Sequence, residues 1–214
     1  TVPNSTTSAG ILTGTSGDNN SFFGYQVGDI STGNRNSFFG SYAGLVNAAS
    51  DNSFFGNVSG NNNTTGGNNS FYGSFAGLRN TTGINNSFFG SSAGRNNIDG
   101  SGNTFVGMSA GYSNTTLSPG GSGNLNSFFG QSAGFNTTFG SNNTFVGGLA
   151  GQSNTTESNN TFIGVSSQGS AGVHDSTAIG FGAIATQSNP IGLGRAIQSV
   201  PAPGNFACTG GFNG

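Results

Sequence analysis

The residues able to do chemistry are few in this chain, and they do not gather. Six carboxylates (Asp18, Asp29, Asp51, Asp99, Glu157, Asp175), four arginines (Arg35, Arg79, Arg95, Arg195), one histidine (His174) and one cysteine (Cys208) are spread over 214 residues. Nucleophilic catalysis needs a base within hydrogen-bond reach of the nucleophile and a third group to orient it. No such set reads here, and no enzyme activity is expected. His174-Asp175 offers two adjacent metal donors, but the further ligands of a metal site are missing. A calcium-binding β-roll repeats an Asp in every turn, whereas these acids share no register. Gly180-Phe181-Gly182-Ala183-Ile184-Ala185 spells G-x-G-x-x-A, without the βαβ surroundings or the later acid that a dinucleotide requires. It reads as a turn, and no cofactor is expected.

The remaining polar candidates are weaker. Asn57, Asn80, Asn114, Asn136 and Asn154 stand in Asn-x-Ser/Thr sequences and are possible glycosylation sites. The competing explanation is turn chemistry, since Asn tolerates left-handed backbone. Tyr42, Phe75 and Tyr112 could stack on sugars, and Cys208, with no partner in the chain, is a possible intermolecular contact. Net charge is -2 with no lysine. A nucleic-acid binder shows a basic stripe, so no nucleic-acid partner is expected. No apolar run approaches the ~20 residues that span a bilayer, so no membrane insertion is expected. The chain begins at Thr1 and reads as a processed mature chain or a fragment.

The elements that carry these residues are repeats. Gly accounts for 41 residues and Phe for 20, and the Phe fall at fixed intervals that a flexible linker has no reason to keep. The anchor Asn-Ser/Thr-Phe-(Phe/Tyr/Val/Ile)-Gly ends at Gly24, Gly40, Gly56, Gly73, Gly90, Gly107, Gly130, Gly147 and Gly164, with steps of 16 or 17 residues and one of 23. The long step contains Leu117 to Gly123, an inserted surface loop. Ser176-Thr177-Ala178-Ile179-Gly180 is a degenerate tenth copy. Each anchor is followed by a unit such as Ser41-Tyr42-Ala43-Gly44 and then by an Asn/Thr/Gly turn. Helix is excluded by the Gly and Asn content and by the missing 3.6-residue stripe. The pattern predicts an all-β fold: a parallel β-solenoid, or β-roll, of about ten coils of 16–17 residues, two short strands per coil, stacked ~4.8 Å apart.

Side chains alternate across a strand, so the paired aromatics of each anchor must face opposite ways. The first fills the lumen: Phe22, Phe38, Phe54, Phe71, Phe88, Phe105, Phe128, Phe145, Phe162. The second points out: Phe23, Phe39, Phe55, Tyr72, Phe89, Val106, Phe129, Val146, Ile163. An exposed apolar row of that size calls for a cover. The same row on another copy is preferred, as in symmetric homo-oligomers; a turn folded over the row is the alternative. The small Ala of the second unit (Ala43, Ala76, Ala93, Ala110, Ala133, Ala150) fits opposite a Phe, and Asn at equal positions predicts amide ladders.

Ser176 to Ala185, followed by Ser188-Asn189-Pro190-Ile191-Gly192-Leu193-Gly194, resembles the head repeat of trimeric autotransporter adhesins of the YadA type, with its S-x-A-I-G-x-x-A-x-A pattern. Coils such as Asn103 to Thr116 resemble a wider variant found in bacterial surface proteins and phage tail-fibre-like proteins. The resemblance covers residues 19–194. It implies a left-handed, trimeric, extracellular β-roll used in adhesion. The chain departs from that pattern in its 16–17-residue coils and its Phe rungs, and no coiled-coil stalk or membrane anchor reads in it.

Residues 1–18 read as an N-terminal cap or arm, 19–194 as the repeat solenoid, and 195–214 as a C-terminal cap or assembly arm. The expected function is an extracellular structural fibre subunit that self-assembles, as a trimer or head-to-tail filament, through aromatic ladders. The alternative is an adhesin head or phage receptor-binding fibre that meets a host surface or glycan. Ice binding is a remote third reading, because the paired Thr fall in turns rather than on strands.

Overall fold

The computed structural model describes residues 7–9, 17–115, 123–189 and 191–193. Most of the inserted loop, the C-terminal arm, Cys208 and Arg195 lie outside the described residues. Fourteen short strands are present: β1 (Thr7–Ala9), β2 (Ser21–Phe23), β3 (Ser37–Phe39), β4 (Ser53–Phe55), β5 (Ser70–Tyr72), β6 (Ser87–Phe89) and β7 (Thr104–Val106). They continue as β8 (Ser127–Phe129), β9 (Thr144–Val146), β10 (Thr161–Ile163), β11 (Gln168–Gly169), β12 (Thr177–Ile179), β13 (Ile184–Ala185) and β14 (Ile191–Leu193). Twelve of them form one parallel sheet in the order β1 to β10, then β12 and β14; β11 and β13 form a second, two-stranded sheet. The chain is therefore a parallel β-solenoid, and no helix occurs among the described residues.

Register is exact from coil to coil. Ser37, Phe38 and Phe39 pair with Ser53, Phe54 and Phe55, and the same alignment recurs along the sheet. It holds across the 23-residue step as well, where Phe105 meets Phe128. All nine first-position Phe are fully buried. They stack ring on ring, 4.7–5.0 Å between centroids for successive pairs such as Phe38–Phe54 and Phe145–Phe162. Opposite them the predicted Ala are fully buried, with Val27 at the first such position.

The structure corrects the predicted second strand. In the coils up to residue 164 the wall facing the strand is a run of turns, because left-handed residues stand two apart, as at Tyr42 (φ 58°) and Gly44 (φ 56°). An extended segment cannot hold two such residues. Gly is required at the second of them, since a Cβ at Gly44 would lie 2.3 Å from Phe38 Cε2.

Two internal amide ladders run the length of the stack. In the first, each Asn accepts from the backbone N–H of the next and donates to a turn carbonyl: Asn36 Oδ1 takes the Asn52 N–H at 2.9 Å, and Asn36 Nδ2 reaches Ala49 O at 3.0 Å. The series runs through Asn143 to Asn160 and ends at Ser176. In the second, amide bonds amide: Asn63 to Asn47, Asn80 to Asn63, Asn97 to Asn80 and Asn114 to Asn97. These bonds remove the cost of burying so many polar side chains.

Candidate functional site

The strand face is the most regular surface of the molecule. Each three-residue strand points its first and third side chains outward and its second inward. The outer face therefore carries two parallel columns. One is hydroxylic: Ser21, Ser37, Ser53, Ser70, Ser87, Thr104, Ser127, Thr144, Thr161 and Thr177, all half-buried. The other is the predicted apolar row from Phe23 to Ile163, extended one rung to Ile179. Its members Phe23, Tyr72, Phe89, Phe129, Val146, Ile163 and Ile179 are 38–41% exposed. The hydroxyl column answers the objection that hydroxyls sit only in turns. Its signal in the sequence is the Ser or Thr before every first-position Phe.

The geometry of the rings decides what this row can contact. Phe23, Phe39, Phe55, Tyr72 and Phe89 stack successively at 4.7–4.9 Å, nearly coplanar. Their π-faces are spent on one another, and the row shows its ring edges to the outside. Val106 interrupts the aromatic stack. An edge row packs between side chains of another apolar surface; it offers no open face for a planar ligand. Of the predicted ladder residues, Phe22, Phe38, Phe54, Phe71, Phe88, Phe105, Phe128, Phe145 and Phe162 hold coils together within one chain. Phe23, Phe39, Phe55, Tyr72, Phe89 and Phe129 line the outer face.

Charge is sparse around the row. Arg35 and Asp51, in successive coils, form a two-pronged ion pair, with Nε to Oδ1 at 2.6 Å and Nη2 to Oδ2 at 2.7 Å. The hydrogen bond from Arg35 holds the Asp51 carboxyl below its ordinary range. His174 Nδ1 lies 2.6 Å from Asp175 Oδ2. That contact, then the Asn159 amide, lowers the Asp175 pKa. No group of three His, Cys, Asp or Glu that could hold a metal occurs among the described residues. Gly180–Ala185 forms a coil turn leading into β13, as its surroundings in the sequence suggest.

The glycosylation candidates divide. Asn80 and Asn114 are fully buried and Asn154 nearly so, each bonded inside the second ladder or its turn. These three are corrected from surface sites to interior ones: their sequences turn, but the side chains turn inward. Asn57 and Asn136 are exposed. Exposed Asn of the same sequence type also stand at Asn19, Asn68, Asn85, Asn142 and Asn159, each at left-handed φ just before a first-ladder residue. Tyr112 stacks on Phe135 at 4.9 Å, Tyr42 meets Tyr25 edge-on, and Phe75 is capped by Arg95. None of the three predicted sugar-stacking rings stands alone.

No protein-family model, curated protein or solved structure matches the chain. No helix among the described residues is long and apolar enough to cross a membrane.

Proposed function

We propose that the chain is a structural subunit of an extracellular fibre, assembled by packing the strand face of one copy against the same face of another. The observation that carries this reading is the unbroken apolar row on the outer face, partly exposed at every rung. An aromatic side chain has roughly 200 Å² to bury; at two-fifths exposure, ten rungs leave on the order of 700 Å², close to the ~800 Å² one partner gives a standard interface. Identical spacing on both faces lets ring edges of one row settle between those of the other. A net charge of -2 adds little repulsion.

The mass of the native assembly tests the proposal. Sedimentation equilibrium should give an oligomer or a filament. Replacing Phe39 and Phe89 by Ser should drive it to monomer without unfolding the coil. A native chain that sediments as a monomer at every concentration overturns the proposal.

One observation favours a second reading, a trimeric adhesin head or phage receptor-binding fibre. The stretch that resembles the adhesin repeat also shortens its coil: Thr177 pairs with Ile191, 14 residues on, and it alone carries a second-wall strand pair. Discrete trimers of fixed length in electron micrographs would favour this reading; indefinite filaments favour the first.

A further inference from the structure

The wall opposite the strand face carries two arginines with no carboxylate partner. Past each Ala-Gly turn, two side-chain columns run along this wall. One contains Arg95, Tyr112 and Phe135 in successive coils; the next contains Arg79, Asn96 and Ser113. Backbone bonds fix their alignment, Arg79 N–H to Arg95 O at 3.0 Å and Asn96 N–H to Tyr112 O at 3.1 Å. The Arg95 guanidinium carbon lies 5.6 Å from the ring centres of both Phe75 and Tyr112. Its Nη1 donates to the Tyr112 hydroxyl. Its Nε–H is shut from solvent and has no acceptor. Among the described residues the ion pairs are Arg35–Asp51 and His174–Asp175, so neither Arg79 nor Arg95 is neutralised.

A guanidinium held between rings is oriented and partly stripped of water. Such a fork is matched by one oxyanion, which it binds through two parallel N–H bonds. We infer that Arg95, supported by Arg79, binds the oxyanion of an acidic polysaccharide, a uronate carboxylate or a sulfate ester. The neutral amide and hydroxyl of Asn96 and Ser113 lie beside it and suit sugar hydroxyls. Nucleic acid and anionic membranes recruit many cations at once, and the described residues hold three arginines and no lysine. The site lies across the lumen from the apolar row, so it stands whether or not the strand faces associate.

The test is binding of the full chain to immobilised polygalacturonate, chondroitin sulfate and neutral dextran, followed by interferometry at 150 mM NaCl. Binding to at least one acidic polymer and not to dextran is expected. Arg95→Gln should weaken it tenfold or more, roughly the worth of a charged hydrogen bond. Arg95→Lys should recover little, because a point charge cannot make the fork. Arg35→Gln, which removes an arginine already paired with Asp51, should bind as the native chain does. Arg79→Gln changes an exposed residue and should cost severalfold, which keeps the test decisive if Arg95→Gln fails to fold. Failure of the native chain to bind either acidic polymer, or unchanged binding in both the Arg95 and Arg79 variants, overturns the inference. So does a preference for anionic vesicles or oligonucleotides over both polymers.

Discussion

Between β2 and β10 the lumen is filled by a Phe at every rung, whereas in β12 and β14 the same register holds Ala178 and Gly192. The coil changes with the rung. The pairing step is 17 residues from Thr144 to Thr161, 16 from Thr161 to Thr177 and 14 from Thr177 to Ile191. Where Phe fills the lumen, the opposite wall bends around the ring in left-handed turns. Where Ala replaces it, that wall straightens into β11 and β13, with Ala185 almost fully buried. Rung volume thus sets coil width, and coil width sets how many residues the far wall needs. The Asn ladder stops at the same place, its last carbonyl oxygen taken by the Ser176 N–H and hydroxyl.

The largest test of this comparison is to delete a ring on each side of the change. Phe88 is stacked between Phe71 and Phe105, each 4.8 Å away. Phe88→Ala should cost about 3–5 kcal/mol, since neighbours fixed by their own stacks cannot collapse into the cavity. Phe162→Ala should cost less, because its far neighbour is already Ala178 and the narrow coil can extend by one rung. Urea unfolding of the two variants checks this; equal losses would mean that rung volume does not set the wall.

Glycines on the far wall sharpen the same contrast. A Cβ at Gly94 (φ 56°) would stand 2.4 Å from Phe88 Cε2, whereas one at Gly172 (φ 78°) would meet nothing within 4 Å. Both substitutions force a non-glycine residue into left-handed backbone, about 1–2 kcal/mol. Gly94→Ala adds overpacking of roughly 1–3 kcal/mol. The difference in thermal midpoint between the two variants measures the wall's pressure on the ring. A Gly172→Ala variant as damaged as Gly94→Ala would remove the argument.

The solenoid, its period and the opposite facing of the paired aromatics are legible in the sequence because a two-residue alternation and a 17-residue repeat are both counting arguments. The far wall was not. Ser41-Tyr42-Ala43-Gly44 looks like a short strand by letters, and only the ring of Phe38 beneath Gly44 forces it to turn. Asn80, Asn114 and Asn154 were misjudged for a related reason: Asn-Thr-Thr marks a turn but not which way its first side chain points. The Arg95 cluster could not be read at all, since Phe75, Arg95 and Tyr112 come from three coils and meet only through register. Register also exposes a flaw in the second ladder. Thr137 replaces Asn after Asn114, and the Asn114 Oδ1 is left buried without a partner. Thr137→Asn restores a donor to that oxygen and an acceptor to Asn154, whose bond to the Thr137 hydroxyl is long at 3.5 Å. A gain of about 1 kcal/mol is expected, read as a higher urea midpoint with unchanged slope.

The smallest expected effect lies at the seam between wide and narrow coils, where Glu157 acts as a clasp. One carboxylate oxygen accepts from the Gly172 N–H at 2.8 Å, across the coils; the other accepts from Thr155 N–H at 2.7 Å and Thr156 N–H at 3.0 Å. Partial burial pushes its pKa up, but the backbone donors of Gly172, Thr155, Glu157 itself and Thr156 together outweigh that and leave it lowered. A carboxyl depressed in the folded state contributes stability above its unfolded pKa and loses it as pH falls through the folded one. The clasp is therefore closed at neutral pH and opens with acid, below the model carboxyl value of 4.5. Because it ties the 17-residue coil to the narrow ones, protonation should loosen residues 165–193 before the Phe-filled coils. Amide exchange, corrected for intrinsic rates, should show protection falling first at Gly172 and Val173 as pH drops from 6 to 3, roughly the range over which a Glu carboxyl titrates. In Glu157→Gln the clasp is weakened at every pH, and that pH dependence should vanish. If the narrow coils lose protection with acid equally in the native chain and in Glu157→Gln, the seam is held by the change of rung alone and not by this carboxylate.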